Sequence, residues 1–344
     1  MIANTTPTLV EQLEAAGVKV DVDSMDPKVA KALPFTPHDM TSNQLLVNQQ
    51  LQNPENEELV KQTIKENPNA SWLDIHTILT TRFAKRVLPL LQGRVLAQTS
   101  PAEAYNMQAI VDHARAYAAS FNKEGIDHPY FNGKLYPLPS LFADPSAEVR
   151  AHAEQDLWPD VEDPATEHPM AYRMIHIRDT YAKLKKETGK EQPMVKSASF
   201  ISAREAMAMV EFQAEHATIS DLVLDDLSRL TKLLPFHKGT WQVPVSKQLE
   251  EEGNFKYEGL DAPSPPASKD RMAELSKADP LGKKMQADFT MASTDIDYLA
   301  DGVLDKCNEE DEVTRLRLND ALVLFQGGEQ ESKATIERLQ KEYA

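Results

Sequence analysis

The stretch "PMVKSASFISAREAMAMVEFQAEHATISDLVLDDLSRLTKLL", residues 193–234, decides the fold. "MVKSASF" is a short strand-like run behind Pro193. Ser202 and Glu205 follow as S-x-x-E, the pattern in which a hydroxyl and a carboxylate cap the first turn of a helix, so "AREAMAMVEFQ" is expected to be helical. "ATIS", residues 217–220, is a second short strand, and Ser220 stands ready to cap "DLVLDDLSRLTKLL". Upstream, Met170, Met174, Ile177, Tyr181 and Leu184 recur at helical spacing. Lys183, Lys185 and Lys186 enrich the end of that helix and Gly189 follows it, as helix ends prefer. The order is helix, strand, helix, strand, helix with short links. Such βα repetition implies a parallel sheet or barrel.

The first half carries the same signals. "VKVDVDS", residues 18–24, alternates apolar and polar side chains. "SWLDIHTILTTRFAKRVLPLL" places Trp72, Ile75, Leu79, Phe83 and Leu88 on one helical face, with Ser71 and Asp74 set for a cap. "GRVLAQTS" reads as a strand, and "AEAYNMQAIVDHARAYAASFNKEG" as a helix stopped by Gly125. Two regions break the rhythm. Residues 127–169 are rich in proline, and residues 236–270 read as a long loop around "APSPPAS". From about Asp295 to Ala344 the chain is acidic and helix-like, with "FQGGEQ" (325–330) expected to interrupt the helix.

Composition excludes several function classes. The net charge of −17, from 37 basic and 54 acidic residues, argues against a nucleic acid or an anionic membrane as partner. No apolar run approaches the ~20 residues of a membrane span. "MIANTTPTLVEQLEAAG" has neither a basic n-region nor an apolar h-region, so no signal peptide is expected. Cys307 is the only cysteine, which rules out an intramolecular disulfide and fits a reducing compartment, so a cytoplasmic location is expected. Cys307 lies in an acidic stretch that disfavours a thiolate. His113, His152, His168, His176 and His216 show no ligand spacing, so no metal is expected. There is no glycine-rich phosphate loop, and no cofactor is expected.

Five short motifs, in order, resemble the transaldolase family of class I aldolase-type barrels. "VDVDSMD" (20–26) is similar to the family's V-V-x-D-S/T-x-D and puts Asp23 at its aspartate. "HDMTSNQLL" (38–46) is similar to D-A-T-T-N-P-S-L and puts Asn43 at its asparagine. "GRVLAQT" (93–99) resembles G-R-V-S-T-E-V, with Gln98 where the family has glutamate. "VKSASFI" (195–201) resembles V-M-G-A-S-F-R, with Ser199 at the serine and Ile201 at the arginine. "ATISD" (217–221) resembles L-T-I-S/A-P.

The resemblance implies an α/β fold, a (βα)8 TIM-type barrel over residues 1–320, incomplete or rearranged around residues 127–169, with a helical C-terminal extension over 321–344. It also implies a chemistry. A lysine amine attacks a ketose carbonyl to form a Schiff base, a carboxylate and a threonine-held water shuttle protons, and arginines grip the substrate phosphate. The implied partner is a small carbonyl compound or sugar phosphate, and a homodimer fits the family. Lys134, in "FNGKLYPLPSLF", falls at the spacing of the family lysine, but Gly133, Pro137 and Pro139 are poor residues for a central strand. Pro139 also takes the place of the family threonine.

The departures gather on the chemistry: Gln98, Pro139 and Ile201 each replace a functional residue. An amide hydrogen-bonds but cannot act as a general acid–base. Plain structural duties compete with catalytic ones. Asp23 caps a turn on the bland reading, Asn43 caps a helix, and Lys134 is a solvated loop lysine. Lys196 is the alternative amine. Strand alternation pairs it with Ala198 and pairs Ser197 with Ser199. If Ser199 faces the lumen, Lys196 faces the helices. Three functions therefore stand open: a transaldolase-like enzyme, a catalytically inactive paralogue that binds or regulates, and a divergent enzyme on another carbonyl substrate.

Overall fold

A computed structural model describes residues 6–126, 171–234, 259–263, 268–278, 300–310 and 312–343, with isolated positions at 163, 247 and 251. Lys134 and Pro139 fall outside the described residues. In chain order the elements are α1 (Leu9–Ala15), β1 (Lys19–Asp23), α2 (Pro27–Ala32), β2 (Met40–Ser42), α3 (Gln44–Gln52), α4 (Glu57–Glu66), α5 (Trp72–Val87), β3 (Val95–Ala97) and α6 (Met107–Lys123). Then come α7 (Ala171–Thr188), β4 (Lys196–Ala198), α8 (Ala203–Phe212), β5 (His216–Ser220), α9 (Asp221–Arg229), α10 (Lys269–Ala278), α11 (Val303–Glu310) and α12 (Glu312–Tyr343).

The strands form one sheet in the order β3-β2-β1-β5-β4, and the registered pairs β1–β2, β2–β3 and β4–β5 are parallel. This is a partial barrel-type α/β arrangement of five strands among the described residues, followed by a helical C-terminal region. No described helix is long and apolar enough to cross a membrane.

Local chemistry sets the element boundaries. Ser71 and Asp74 cap α5 reciprocally: Ser71 Oγ accepts from Asp74 N at 3.2 Å, and Asp74 Oδ2 accepts from Ser71 N at 3.0 Å. Asp26 caps α2 through Lys28 N at 2.9 Å, with Pro27 in the first turn where its missing N–H costs nothing. Ser202 caps α8 through Glu205 N at 3.2 Å, and Gln213 ends that helix in the left-handed region at φ 54°. Gly189 follows α7 at φ 66°. Ser220 occupies the N-cap position of α9 without a side-chain cap bond.

The chain divides into two compact units, residues 1–20 with 136–318 and residues 21–135 with 319–344. In the first, α1 docks by Leu9 N donating to Leu230 O at 2.7 Å and Gln12 Nε2 donating to Thr231 O at 2.9 Å. Lys19 N donates to Glu215 O at 3.0 Å, which starts β1 beside β5.

In the second unit, two carboxylates set the strand register. Asp21 Oδ1 accepts from Asp39 N at 3.0 Å, and Asp39 Oδ1 accepts from Arg94 N at 2.7 Å. Gly93 permits this approach, because a Cβ there would overlap Asp39 Oδ1 and lie 2.9 Å from His38 O. The ladder then runs Val22↔Met40 and Met40↔Val95. Met40 and Val95 join a core with Val47, Ile64, Leu79, Phe83 and Tyr117. Arg82 on α5 ties the neighbouring helices. It donates to Glu66 at 2.7 Å, to Thr63 Oγ1 at 2.7 Å and to Glu124 at 3.0 Å.

The C-terminal helix corrects one expectation. "FQGGEQ" does not break it: α12 runs through Gly327 and Gly328 without interruption. Gly328 is instead a contact point, where a Cβ would stand 2.9 Å from Leu45 Cδ2 and 3.2 Å from Leu45 N. Around it Asn48 Nδ2 donates to Glu331 Oε2 at 2.6 Å, Gln340 Nε2 donates to Ala70 O at 2.9 Å, and Ile336 is wholly buried in the core. The ring of Tyr343 lies under Lys61 and Lys65 at 5.4 and 5.7 Å. Gly328→Val should therefore lower stability by about 1–3 kcal/mol through overpacking. Gly327→Ala has open space around it and should raise stability by about 0.5–1 kcal/mol. Chemical denaturation of the two variants checks the pair; equal effects would contradict the close approach at Gly328.

Candidate functional site at the strand ends

Register sorts the side chains of the second unit into two faces. Val22, Met40 and Val95 are laterally aligned, and Met40 and Val95 pack in the helix-side core. Alternation then puts Asp21, Asp23, Thr41 and Leu96 on the other face. Three of these four are polar. Asp21 is fully buried, while Asp23 and Thr41 are half-buried. Asp23 is the last residue of β1, Asn43 directly follows β2, and Gln98 directly follows β3. Sites in parallel α/β folds gather at such C-terminal strand ends.

Each of these residues also has a structural duty. Asn43 caps α3, its Oδ1 accepting from Leu46 N at 3.0 Å, so the cap uses the carbonyl end and leaves the amide nitrogen out. Gln98 N donates to Ser42 O at 3.2 Å, which extends the β2–β3 ladder by one step. Gln44, absent from the sequence reading, holds the same segment: its buried side-chain amide donates to Gln98 O at 3.2 Å and to Thr99 O at 3.1 Å. The one available signal was its position, where the resembling motif has proline.

Behind this strand end lies a buried polar cluster that the sequence did not point to. Ser100 N donates to His113 Nδ1 at 3.0 Å, and Thr77 Oγ1 lies 3.1 Å from His113 Nε2. Thr77 Oγ1 spends its own proton on Leu73 O at 2.8 Å, so His113 must carry its hydrogen on Nε2 and accept at Nδ1. An imidazolium would turn a second proton against Ser100 N–H. Burial pushes His113 down to about 4, with Asp74 opposing. His76 is wholly buried, neither ring nitrogen has a hydrogen-bond partner among the described residues, and burial followed by the field of His113 pushes it down to about 3. Glu329, from α12, is raised by burial against the lowering effect of its bonds to Ser100 and Ala102.

In the first unit, Ser199 follows β4 at φ 65°, in the left-handed region, and is exposed. The alternation expected to run on to Ser199 therefore stops at Ala198. Ser197 is buried and donates toward Met174 Sδ on α7 at 3.8 Å, so it faces the helices. Lys196 and Ala198 consequently occupy the face away from α7, the reverse of the conditional sequence argument. Ile201 N donates to Glu205 Oε2 at 2.9 Å within the α8 capping loop.

The described strands thus form a parallel α/β sheet of partial barrel type with the carboxylates of Asp21 and Asp23 and the hydroxyl of Thr41 on one face. Residues 19–126 match the family model described as Transaldolase/Fructose-6-phosphate aldolase. A transaldolase from Synechocystis sp. is 30% identical over 128 residues, covering 35% of this chain and 32% of that protein. A transaldolase from Gloeobacter violaceus is 26% identical over 130 residues, covering 35% of this chain and 33% of that protein. The chain thus spans about a third of the length of the curated relatives it matches. Similarity to transaldolases is carried by residues 19–126, the part of the chain that the family model matches.

The buried cluster makes stability pH-dependent with a definite sign. Both histidines are depressed below the ordinary 6.5, so the unfolded chain takes up protons that the folded chain refuses. Their contribution is complete above about pH 6.5 and declines as pH falls toward 4 and then 3. Glu329 acts oppositely, its raised value costing stability as pH rises past the ordinary 4.5. The unfolding midpoint should fall between pH 7 and pH 5, His76→Leu should flatten that fall, and Glu329→Gln should raise the midpoint at pH 8 more than at pH 4. Thermal scans across this range check all three, and an unchanged slope in His76→Leu would contradict the assignment.

Proposed function

We propose that the protein is a transaldolase-like protein that binds a ketose or ketose phosphate and forms a lysine Schiff base with it, with slow aldol transfer. The observation that carries this reading is Gln98, which directly follows β3 and sits where the resembling motif has glutamate. At that place an amide can hold a sugar hydroxyl or a water but cannot move a proton. Asp23 is then the carboxylate left for proton transfer, and the amide nitrogen of Asn43 is a donor for the substrate. The amine comes from Lys134 or Lys196.

Ile201 in the arginine position removes a charge-assisted hydrogen bond to phosphate, worth ~1.5–3 kcal/mol. A phosphorylated ketose should accordingly have little advantage over the free sugar. A second reading, binding without turnover, is favoured by one specific observation: Gln44 and Asn43 are both engaged in holding backbone.

Gln98→Glu tests the proposal. Restoring a carboxylate should raise aldol transfer from fructose 6-phosphate by about 10²–10⁴-fold. Ketose binding followed by calorimetry should change little. Binding with no turnover in either form supports the second reading, and absence of ketose binding removes both.

A further inference from the structure

We propose that α12 carries a proton-operated latch: neutral Glu329 holds the helix on the segment that follows β3, and ionised Glu329 lets the turn Gln326–Glu329 unwind. The segment Gln98–Ala102 is gripped in two parts. Gln44 holds its first two residues, donating to Gln98 O and Thr99 O. α12 holds the other three: Glu329 bonds to Ser100 and to the backbone of Ala102, and Gln326 Nε2 donates to Pro101 O at 3.2 Å. The hold of α12 on this segment therefore sits in one helical turn.

Glu329 is ill suited to a permanent charge. The residue is 4% exposed, and its Oε1 is buried with no hydrogen-bond partner among the described residues. A carboxylate there would carry charge on an oxygen that nothing solvates. Burial raises its titration, the bonds to Ser100 and Ala102 lower it, Glu103 raises it and Lys333 lowers it. Tyr117 on α6 also lies within its field, and His113 on α6 accepts from Ser100 N. From α3 the neighbours Gln44 and Leu45 are uncharged. In an unwound turn the carboxyl would titrate near the ordinary 4.5. Docking is therefore complete below that value and weakens as pH rises through the raised one.

The same turn holds the place to open. Gly327 and Gly328 stand inside a 32-residue helix, where each glycine is ~1 kcal/mol less favourable than alanine. Beyond the latch, α12 is anchored by other means. Glu331 accepts from Asn48 at 2.6 Å, Ile336 is in the core, and Gln340 donates to Ala70 O at 2.9 Å. Unwinding is thus confined to the glycine turn and the residues before it, while residues 331–343 stay docked. Its effect falls on Ser100, Pro101 and Ala102, which lose their partners on α12.

Amide hydrogen exchange on the full chain tests this, read by mass spectrometry from pH 5 to pH 8 with each rate corrected for its intrinsic pH dependence. The readout is protection of residues 322–330 relative to residues 331–343. His76 and His113 destabilise the fold in the opposite direction, toward acid, and a ratio within one helix removes their effect. In the wild-type chain the ratio should fall by about threefold or more as pH rises. Glu329→Gln should hold it at its acid level throughout. Gly327→Ala, which has open space for its methyl, should raise the ratio at pH 8. A ratio that stays flat in the wild-type chain, or falls equally in Glu329→Gln, overturns the latch. Should Glu329→Gln not fold, the wild-type series and Gly327→Ala still decide: a fall that Gly327→Ala leaves unchanged overturns it.

Discussion

The hydrogen bond from Arg94 N to the carboxylate of Asp39 fixes the second unit's sheet. It is a charge-assisted contact of the class worth ~1.5–3 kcal/mol, at the first step of the β2–β3 ladder. A slip of one residue would turn Val95 away from the core and bring Leu96 into it. The same slip would remove Gln98 from Ser42 and from the amide of Gln44. Asp21 repeats the device between β1 and β2, so two short side chains place all three strand ends. Because β2 and β3 are three residues each, backbone pairing alone supplies few bonds, and these side-chain bonds carry a large share of the specification.

The parts of the fold legible in the sequence are those that local chemistry determines. The Ser71–Asp74 box and Ser202 start helices in the structure as the pattern implied, and Gly125 and Gly189 follow helix ends with positive φ. The short strands at 19–23, 95–97 and 196–198 lie within the runs read as strands, and the strand at 216–220 starts one residue before the run read at 217–220. What was illegible depends on distant partners. Gly327 and Gly328 are by propensity a helix break, yet Gly328 is kept in α12 by contact with Leu45, far away in sequence. The direction of Lys196 was misjudged because alternation was carried past Ala198, where the chain turns left-handed. Asp23, Asn43 and Gln98 were found only through the motif resemblance. Their placement at successive strand ends depends on register, which the sequence of a three-residue strand does not encode.

The site and the core share one constraint. Asn43, Gln44 and Gln98 each spend polar groups on backbone, so the residues nearest the strand ends are held rigidly. The Ser100–His113–Thr77 chain extends this rigidity from β3 to α5 and α6. Such preorganisation favours a ligand that fits and offers little adaptability to others.

The docking of α12 has a consequence for how the molecule is made. Ile336 is in the core of a unit whose other segment is residues 21–135. On the ribosome, that core stays incomplete while residues 136–318 are synthesised, and Leu45 lacks its contact with Gly328 meanwhile. Closing so long a loop costs only slowly growing entropy, but it delays completion of this core until α12 emerges. The second unit is therefore complete only once α12 has been made, although most of its residues precede residues 136–318 in the chain.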